Sequence, residues 1–531
     1  MKKYLLVVSV LCTAIMLQAP TASAQYLFNN ARVDIASHND YDGKLTQGWG
    51  VGGVNYPSEI GVSYLGCETP TNRCVYVPTS QGVPTTNTTV HYYIPSASFY
   101  DENTGKMYVV GQLRTQWVPT NGGGYPLSSI QGFLMYVDAD GKLDTNVSST
   151  NWLPGIALLD EPATSVVLNG DDEVVVLVPP LDIVRHKVGG SAYPAVTMEW
   201  LSGSAYQELD LVELVVSEDR TEITVCGKLD EISGPRHDVG LYFLDERLDY
   251  RSDGNNGRTR FSVGSNSFVL AGCLNDSKDR VVAGISRIVD GTIPYQALLV
   301  RTEPINCASE TGCLDTDFAG GVVRVGLASS ETTITGMSVL NWKTGKDFYA
   351  VGMIDSHSPY WHSASELFSS EDGSRFTGWG PNGRNVHIDS AIDNAGIATI
   401  RSFASEPGLK AVYLTGSWYL DSVGNSTAQT HPQRGLVKIG LKDLHFGAGY
   451  ESGHDLLDLD SGNGSVVYPY QYNCDFIYSP VAYHVQSFKP TPGAPTVRTY
   501  TNDVYYDSNT RSVLTVSSGS EKGNYVNCPA P

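Results

Sequence analysis

Beyond its N-terminus the chain has no run of about 18 consecutive apolar residues, so no later segment is long enough to cross a bilayer as a helix. Basic residues are scarce. Lys and Arg number 35 against 56 Asp and Glu, for a formal charge of -21, and they nowhere form a run. A phosphate-rich partner would be repelled, which excludes nucleic acid and anionic membrane surfaces as expected partners. The spacings G-x-S-x-G, H-E-x-x-H, G-x-x-x-x-G-K-[ST] and C-x-x-C-H are all missing, and with them the commonest serine-hydrolase, zinc-protease, nucleotide and haem signatures. No C-x-x-C pair or Cys/His cluster has zinc spacing, so no metal site is expected. Charge is low overall, at 17%, while Gly (54) and Tyr (31) are plentiful. That balance fits many short strands joined by turns.

The N-terminus carries an export signal. Lys2 and Lys3 precede the apolar run at 5 to 17, and Ala22-Ser23-Ala24 supplies a small-residue cleavage site. Residues 1–24 therefore read as a signal peptide and 25–531 as the mature, secreted chain, extracellular or periplasmic. Leu11 stands before Cys12 where a lipid-anchor signal would need a small residue. The remaining eight cysteines are an even set in a chain bound for an oxidising space, which points to disulfides. Close spacing suggests Cys67 with Cys74 and Cys307 with Cys313, which leaves Cys226 with Cys273 and Cys474 with Cys528, among about 105 pairings open in principle.

A short apolar strand, usually closed by Gly, recurs along the chain: MYVVG (107–111), VVVLV (174–178), ITVCG (223–227), VVAG (281–284), FYAVG (348–352), VYLTG (412–416) and VLTVS (513–517). Each has another strand about ten residues before it, joined through Asn, Asp, Gly or Lys. A second strand pair follows, as at 132–145, 297–325 and 364–388. Four strands repeated at a period of about 60 residues make the unit of a β-propeller blade. The expected fold is all-β, a seven-bladed β-propeller with eight blades as the alternative. DYDGKLTQGWGVGG (40–53) lacks an inner hairpin and VYYDSNTRSVLTVS (504–517) lacks an outer one, so the N- and C-terminal strands are expected to share the closing blade, hiding two sheet edges. Residues 57–95 and 461–500 fall outside this register and read as strand-like decorations.

CLDTDFAGGVVRV, FTGWGPNGRNVHI, DYDGKLTQGWGVGG and DLHFGAGY (443–450) resemble the delta-60 repeat of bacterial extracellular proteins, with its L-D-x-x-F-G-x-x-G pattern. The unit at 196–211 departs from it. The resemblance implies a propeller-like fold and no particular catalytic residues.

In such a blade the gap between second and third strands opens on the face where ligands are usually held. Those gaps read as 112–131, 179–195, 228–238, 285–295, 353–363 and 417–434. Expected binding residues there are Arg114, Trp117, Arg185, His186, His357, Trp361 and Trp418, because indole faces stack on sugar rings and guanidinium pairs with carboxylate or sulfate. The expected function is a ligand-binding or surface-interaction module for glycans or proteins. The competing expectation is an extracellular polysaccharide-degrading enzyme, a lyase acting on uronic acids. In it His237 or Tyr360 would serve as base, with Arg236 and His362 beside them, and an arginine would neutralise the carboxylate next to the acidified proton. With 56 acids on the chain, no spacing singles out a glycosidase pair. The turns at 40–43, 138–144 and 458–463 could hold Ca2+, although Asp-Gly is also what a hairpin turn demands.

Overall fold

The computed structural model describes residues 25–26, 30–37, 62–65, 77–78, 88–118, 127–144, 146–147, 154–187, 193–199, 206–233, 237–251, 257–262, 268–278, 280–288, 295–302, 314–327, 330–342, 346–357, 360–389, 395–405, 411–420, 434–440, 501–509, 512–519 and 522–523. Each copy of the recurring apolar strand is the second strand of an antiparallel sheet. Sheet 1 is Thr88–Asp101, Lys106–Val118, Leu127–Val137 and Ile156–Leu159; sheet 2 is Ser165–Leu168, Glu173–Val178, Asp182–Lys187 and Val196–Thr197. Sheet 3 is Tyr206–Val216, Glu222–Glu231, His237–Asp245 and Arg258–Ser262; sheet 4 is Phe268–Asn275, Val281–Ile288, Tyr295–Arg301 and Val322–Val325. Sheet 5 is Glu331–Trp342, Lys346–His357, Tyr360–Ser369 and Arg384–Asp389; sheet 6 is Ala395–Ser405, Ala411–Leu420 and Arg434–Gly440. Sheet 7 joins Thr501–Asp507 and Ser512–Gly519 to Asn30–Ser37 and Val62–Leu65. Gln25–Tyr26, Val77–Pro78 and Lys522–Gly523 make a separate small sheet.

The first strands pack against one another in cyclic order, sheet 1 on 2 and so on through 7, and Thr501–Asp507 returns to Thr88–Asp101. The sheets thus surround a common axis, the arrangement of a β-propeller. Both faces of a sheet meet a neighbour, which is why the second strands are almost continuously apolar. Along Glu173–Val178, Val174, Val176 and Val178 pack with Tyr108, Val110 and Leu134 of sheet 1, while Val175 and Leu177 pack with Leu211, Ile223 and Tyr242 of sheet 3. The N- and C-terminal strands share sheet 7 as expected, with Val33 opposite Val516 and Ala36 opposite Val513. No helix among the described residues is long and apolar enough to cross a membrane.

The glycine that closes most copies has a steric cause. First strands carry β-bulges at Pro95/Ala97, Leu211/Glu213 and Ile400/Ser402, opposite or next to Gly111, Gly227 and Gly416. The bulge pushes backbone into the space a side chain would occupy: a Cβ at Gly111 would lie 2.1 Å from the Ile94 carbonyl oxygen, and one at Gly416 1.6 Å from that of Thr399.

Of the segments resembling the delta-60 pattern, those ending at 325 and 388 run from the third-to-fourth connection into the fourth strands of sheets 4 and 5, and 40–53 and 443–450 lie outside the described residues. Leu143, Leu314 and Arg375 each make an isolated bridge back to the third strand, and four residues later Val147, Phe318 and Trp379 are buried. In sheet 4, Arg301 donates Nε to Asp315 Oδ2 at 2.8 Å, and its guanidinium lies 4.3 Å from the Phe318 ring centre. It also donates to the Ser370 and Glu371 carbonyls, tying this connection to sheet 5.

Three boundaries differ from the sequence reading. Residues 57–95 are not a decoration throughout: Val62–Leu65 is the outer strand of sheet 7, and 88–95 is the first half of a long strand in sheet 1. The third strand of the closing sheet is Asn30–Ser37, upstream of 40–53, which lies outside the described residues together with 461–500. In sheet 2 the second strand ends at Val178 as expected, but the second-to-third turn is only 179–181, and the third strand starts at Asp182 rather than after 195.

Candidate functional site

Antiparallel alternation places the turns between second and third strands, the ends of fourth strands and the starts of first strands at one end of the ring. Expected binding residues of sheets 1, 5 and 6 do come to that end, as do His237, Tyr360 and His362, named for the lyase alternative. Arg114 is exposed and donates Nε to Gln112 Oε1 at 3.0 Å. Thr89 pairs with Trp117, His357 with Tyr360, Ser356 with Trp361, and Ile397 with Trp418, so these four aromatic residues and His357 sit on strands at this end, not in loops. His362, third residue of the third strand of sheet 5, pairs with Asp355 on one side and Asp389 on the other. His237 begins the third strand of sheet 3, and its Nδ1 lies 3.2 Å from Asp230 Oδ1. Arg236 lies outside the described residues.

Arg185 and His186 are corrected. Because the sheet 2 turn is short, both fall late in the third strand, opposite Val175 and Val174, toward the other end of the ring. Arg185 is committed to structure: its Nε lies 3.2 Å from Glu173 Oε2 and its guanidinium 4.3 Å from the Tyr193 ring centre, whose hydroxyl donates to Glu173 Oε1. His186 is buried, and its Nε2 has no hydrogen-bond partner among the described residues. Burial pushes its imidazole down to about 4, so it stays neutral near pH 7. Neither residue is placed to meet a ligand at the end where the others gather.

A second polar group lies around the axis, on the first strands and, in sheet 4, at Ser286 of the second strand. The inner edge of each first strand has no further strand to pair with, so its amides need acceptors from elsewhere. Neighbouring sheets supply them. Leu214 N donates to Ser165 Oγ at 3.1 Å, Cys273 N to Glu213 Oε2 at 2.8 Å, Ile334 N to Ser286 Oγ at 3.0 Å and Phe403 N to Ser338 Oγ at 2.9 Å. At the closure, Ser98 Oγ donates to Asp503 Oδ2 at 2.6 Å, and the Tyr505 hydroxyl to the Ser98 carbonyl at 2.6 Å.

Glu213 and Asp503 are the carboxylates in this series. Water reaches them in part, yet protein encloses them on most sides. Burial raises Glu213 to about 7 against the Cys273 hydrogen bond, and the Asp503 charge adds to the rise. Burial raises Asp503 to about 6 against the Ser98 hydrogen bonds and the Arg401 charge. Serines fill the same acceptor role at other junctions, so both acids are first of all joints between sheets. Cys226 and Cys273, the pair left over once the closely spaced cysteines were matched, are disulfide-bonded at the Glu213 junction; the other expected pairs lie outside the described residues.

No family model matches the chain. No characterised protein sequence matches it either. Solved structures resemble it at the level of shape. The β-propeller domain of the Trilobed protease from Pyrococcus furiosus is 10% identical, with 66% of this chain and 95% of that one covered at a TM-score of 0.31. BamB from Moraxella catarrhalis is 10% identical over 67% of this chain and 97% of that one, at 0.29. Acylaminoacyl peptidase from Pyrococcus horikoshii is 10% identical over 66% of this chain, at 0.32, and the match spans 49% of the peptidase. Scores this low carry no argument, and the fold rests on the strand pairing itself.

The axial acids had no expectation attached to them in the sequence. Glu213 sits in the alternating stretch LDLVELVV and Asp503 in TNDVYYD, each one acid among 56. No local pattern could have singled them out: what they share is visible only in the pairing, where both stand one residue past the bulge in a first strand, as Ser402 does in sheet 6.

Proposed function

We propose that this chain is a secreted, seven-bladed β-propeller that binds glycans or proteins at the end of the ring where second and third strands meet. One observation carries the reading. Among the described residues, the large apolar side chains left exposed are Ile130, Ile232, Val269, Tyr295, Leu327 and Val322, and all but Val322 stand at that end. Exposed apolar groups concentrated on one surface are what an interaction site requires. The aromatic residues on strand ends there would add stacking surface, and the charge of -21 argues against polyanionic partners.

The lyase reading is favoured by the His237–Asp230 pair. A carboxylate on Nδ1 orients an imidazole so that Nε2 can accept a proton. Glycan-array binding, followed by incubation with uronic-acid polysaccharides and measurement of ultraviolet absorbance from a new double bond, tests both. Binding without turnover is the expected result. Absorbance that grows with wild type and is lost in His237→Ala would replace the binding module with the lyase, and no binding at all would remove the first reading.

A further inference from the structure

We propose that the cleft between sheets 3 and 4, at the end of the ring where second and third strands meet, binds a sugar carrying a single carboxylate, a uronate. Arg287 takes the carboxylate, and the His237–Asp230 pair on the facing wall takes hydroxyls. This rests on the reading that this end of the ring binds glycans, and names the chemistry of the glycan.

The core beneath brings the two walls together. On sheet 3, Cys226 and Val239 are buried against Ile285 and Leu298 of sheet 4, and these four belong to one apolar cluster that floors the cleft. Side chains alternate along a strand, so the face that holds Cys226 also holds Lys228 and Asp230, and the face that holds Val239 also holds His237. By the same alternation Arg287 follows Ile285, and Gln296 precedes Leu298, on the face of sheet 4 toward sheet 3. The Cys226–Cys273 disulfide sets the level, because Cys273 pairs with Ala283. Asp230 stands four residues beyond Cys226, and Arg287 four beyond Ala283, both toward the same end of the ring, and the ladders between second and third strands run without a bulge. Asp230 pairs with His237 and Arg287 with Gln296, so all four come to one height on facing walls. Packed sheets lie about 10 Å apart, and a ligand at the mouth meets side chains from both.

The chemistry of the mouth selects the ligand. His237 and Asp230 keep 31% and 27% of their side chains open, and Arg287, Gln296 and Lys228 are half-buried, so water reaches this height while the floor below is dry. Arg287 donates Nη2 and Nε to Gln296 Oε1 at 2.6 and 3.0 Å; a neutral amide aims the guanidinium without cancelling its charge. The acids of the cleft are engaged on their own wall: Asp210 lies opposite Lys228, and Asp230 Oδ1 lies 3.2 Å from His237 Nδ1. Arg324, opposite Leu298, adds a second guanidinium to the sheet 4 wall and donates to the Leu327 carbonyl at 3.3 Å. A planar guanidinium matches a planar carboxylate, while amide, imidazole and carboxylate groups serve hydroxyls. The second and third strands are polar on both walls at this height, which suits a sugar and not an apolar peptide. One carboxylate also suits a chain of charge -21, because long-range repulsion grows with the charge of the ligand whereas contact with Arg287 is local.

The test uses the full chain and a panel of neutral oligosaccharides each capped by one uronate, each matched with the same glycan after reduction of its carboxylate to an alcohol, with binding read by isothermal titration calorimetry. At least one capped glycan is expected to bind, and its reduced counterpart about tenfold more weakly or worse. In Arg287→Met the two should bind alike, a loss of discrimination that a residue serving only the fold would not produce, and Arg287→Lys should keep part of the difference. Asp230→Asn with His237→Gln should weaken both glycans together. Lys278→Ala, in the exposed turn at the opposite end of sheet 4, should change nothing. Unaltered melting shows that each variant keeps the fold, and the wild-type comparison stands whether or not Arg287→Met folds. Equal binding of capped and reduced glycans by wild type, or a preference that survives in Arg287→Met, would overturn the inference and leave glycan binding standing. Binding of no glycan at all would remove both.

Discussion

Burial holds the His186 imidazole down at about 4, against an ordinary 6.5, so the unfolded chain takes up a proton there that the folded chain refuses. Its contribution to stability is present above about pH 6.5 and falls away as pH drops toward 4, by up to roughly 3 kcal/mol. Glu213 and Asp503 act in the opposite sense. Raised to about 7 and about 6, they bind protons more tightly when folded, favouring the fold at low pH and losing that contribution as pH rises through those values. Denaturant titrations at pH 5 and pH 7 should separate the two. His186→Leu is expected to shift the balance toward greater stability at pH 5 relative to pH 7, and Glu213→Gln toward greater stability at pH 7, each compared with wild type. Parallel profiles for all three proteins would show that these groups do not titrate as their burial dictates.

At the scale of the strand, the recurring apolar segments were legible because a second strand covered on both faces must be apolar at nearly every position, as Val174–Val178 shows. Its closing glycine was legible as a mark but not as a cause. The cause is a bulge in a partner strand, which no local pattern announces. Gly416→Ala should therefore destabilise by a few kcal/mol, since its Cβ would meet backbone that cannot yield as a side chain can; a thermal melt reads this directly. The third-to-fourth connection depends likewise on a residue outside its own motif. Arg301→Met would leave the Asp315 carboxylate without its guanidinium and the Ser370 carbonyl without its donor, a cost of about 3 to 5 kcal/mol by chemical denaturation. Short turns were the least legible elements: a three-residue turn at 179–181 moved Arg185 and His186 from an expected loop into a buried strand.

For the whole molecule, sharing of one sheet by both ends of the chain followed from matching an incomplete start to an incomplete finish. The shared sheet proved real even though its N-terminal strand lies upstream of the segment first assigned to it. Removing residues 501–531 should leave Asn30–Ser37 paired only with Val62–Leu65 and Thr88–Asp101 without its neighbour across the closure. Limited proteolysis is expected to cut sheet 1 as well as sheet 7 in that variant; cleavage confined to sheet 7 would show that the ring tolerates a gap. The Cys226–Cys273 bond closes 47 residues across sheets 3 and 4, and loop-closure entropy assigns it about 4 kcal/mol. Cys226→Ala with Cys273→Ala should lower the denaturation midpoint accordingly.

The amide-to-side-chain links around the axis bear on how such a molecule can change over time. A sheet in this ring gives an acceptor to the neighbour after it and takes one from the neighbour before it, so its sequence is answerable to two others. Duplicating a whole unit preserves both obligations and lets the ring grow or shrink by one. Exchanging a unit for a foreign one, however well folded, strands a donor on one side and an acceptor on the other, and it also breaks ties between turns such as those of Arg301 to the Ser370 and Glu371 carbonyls.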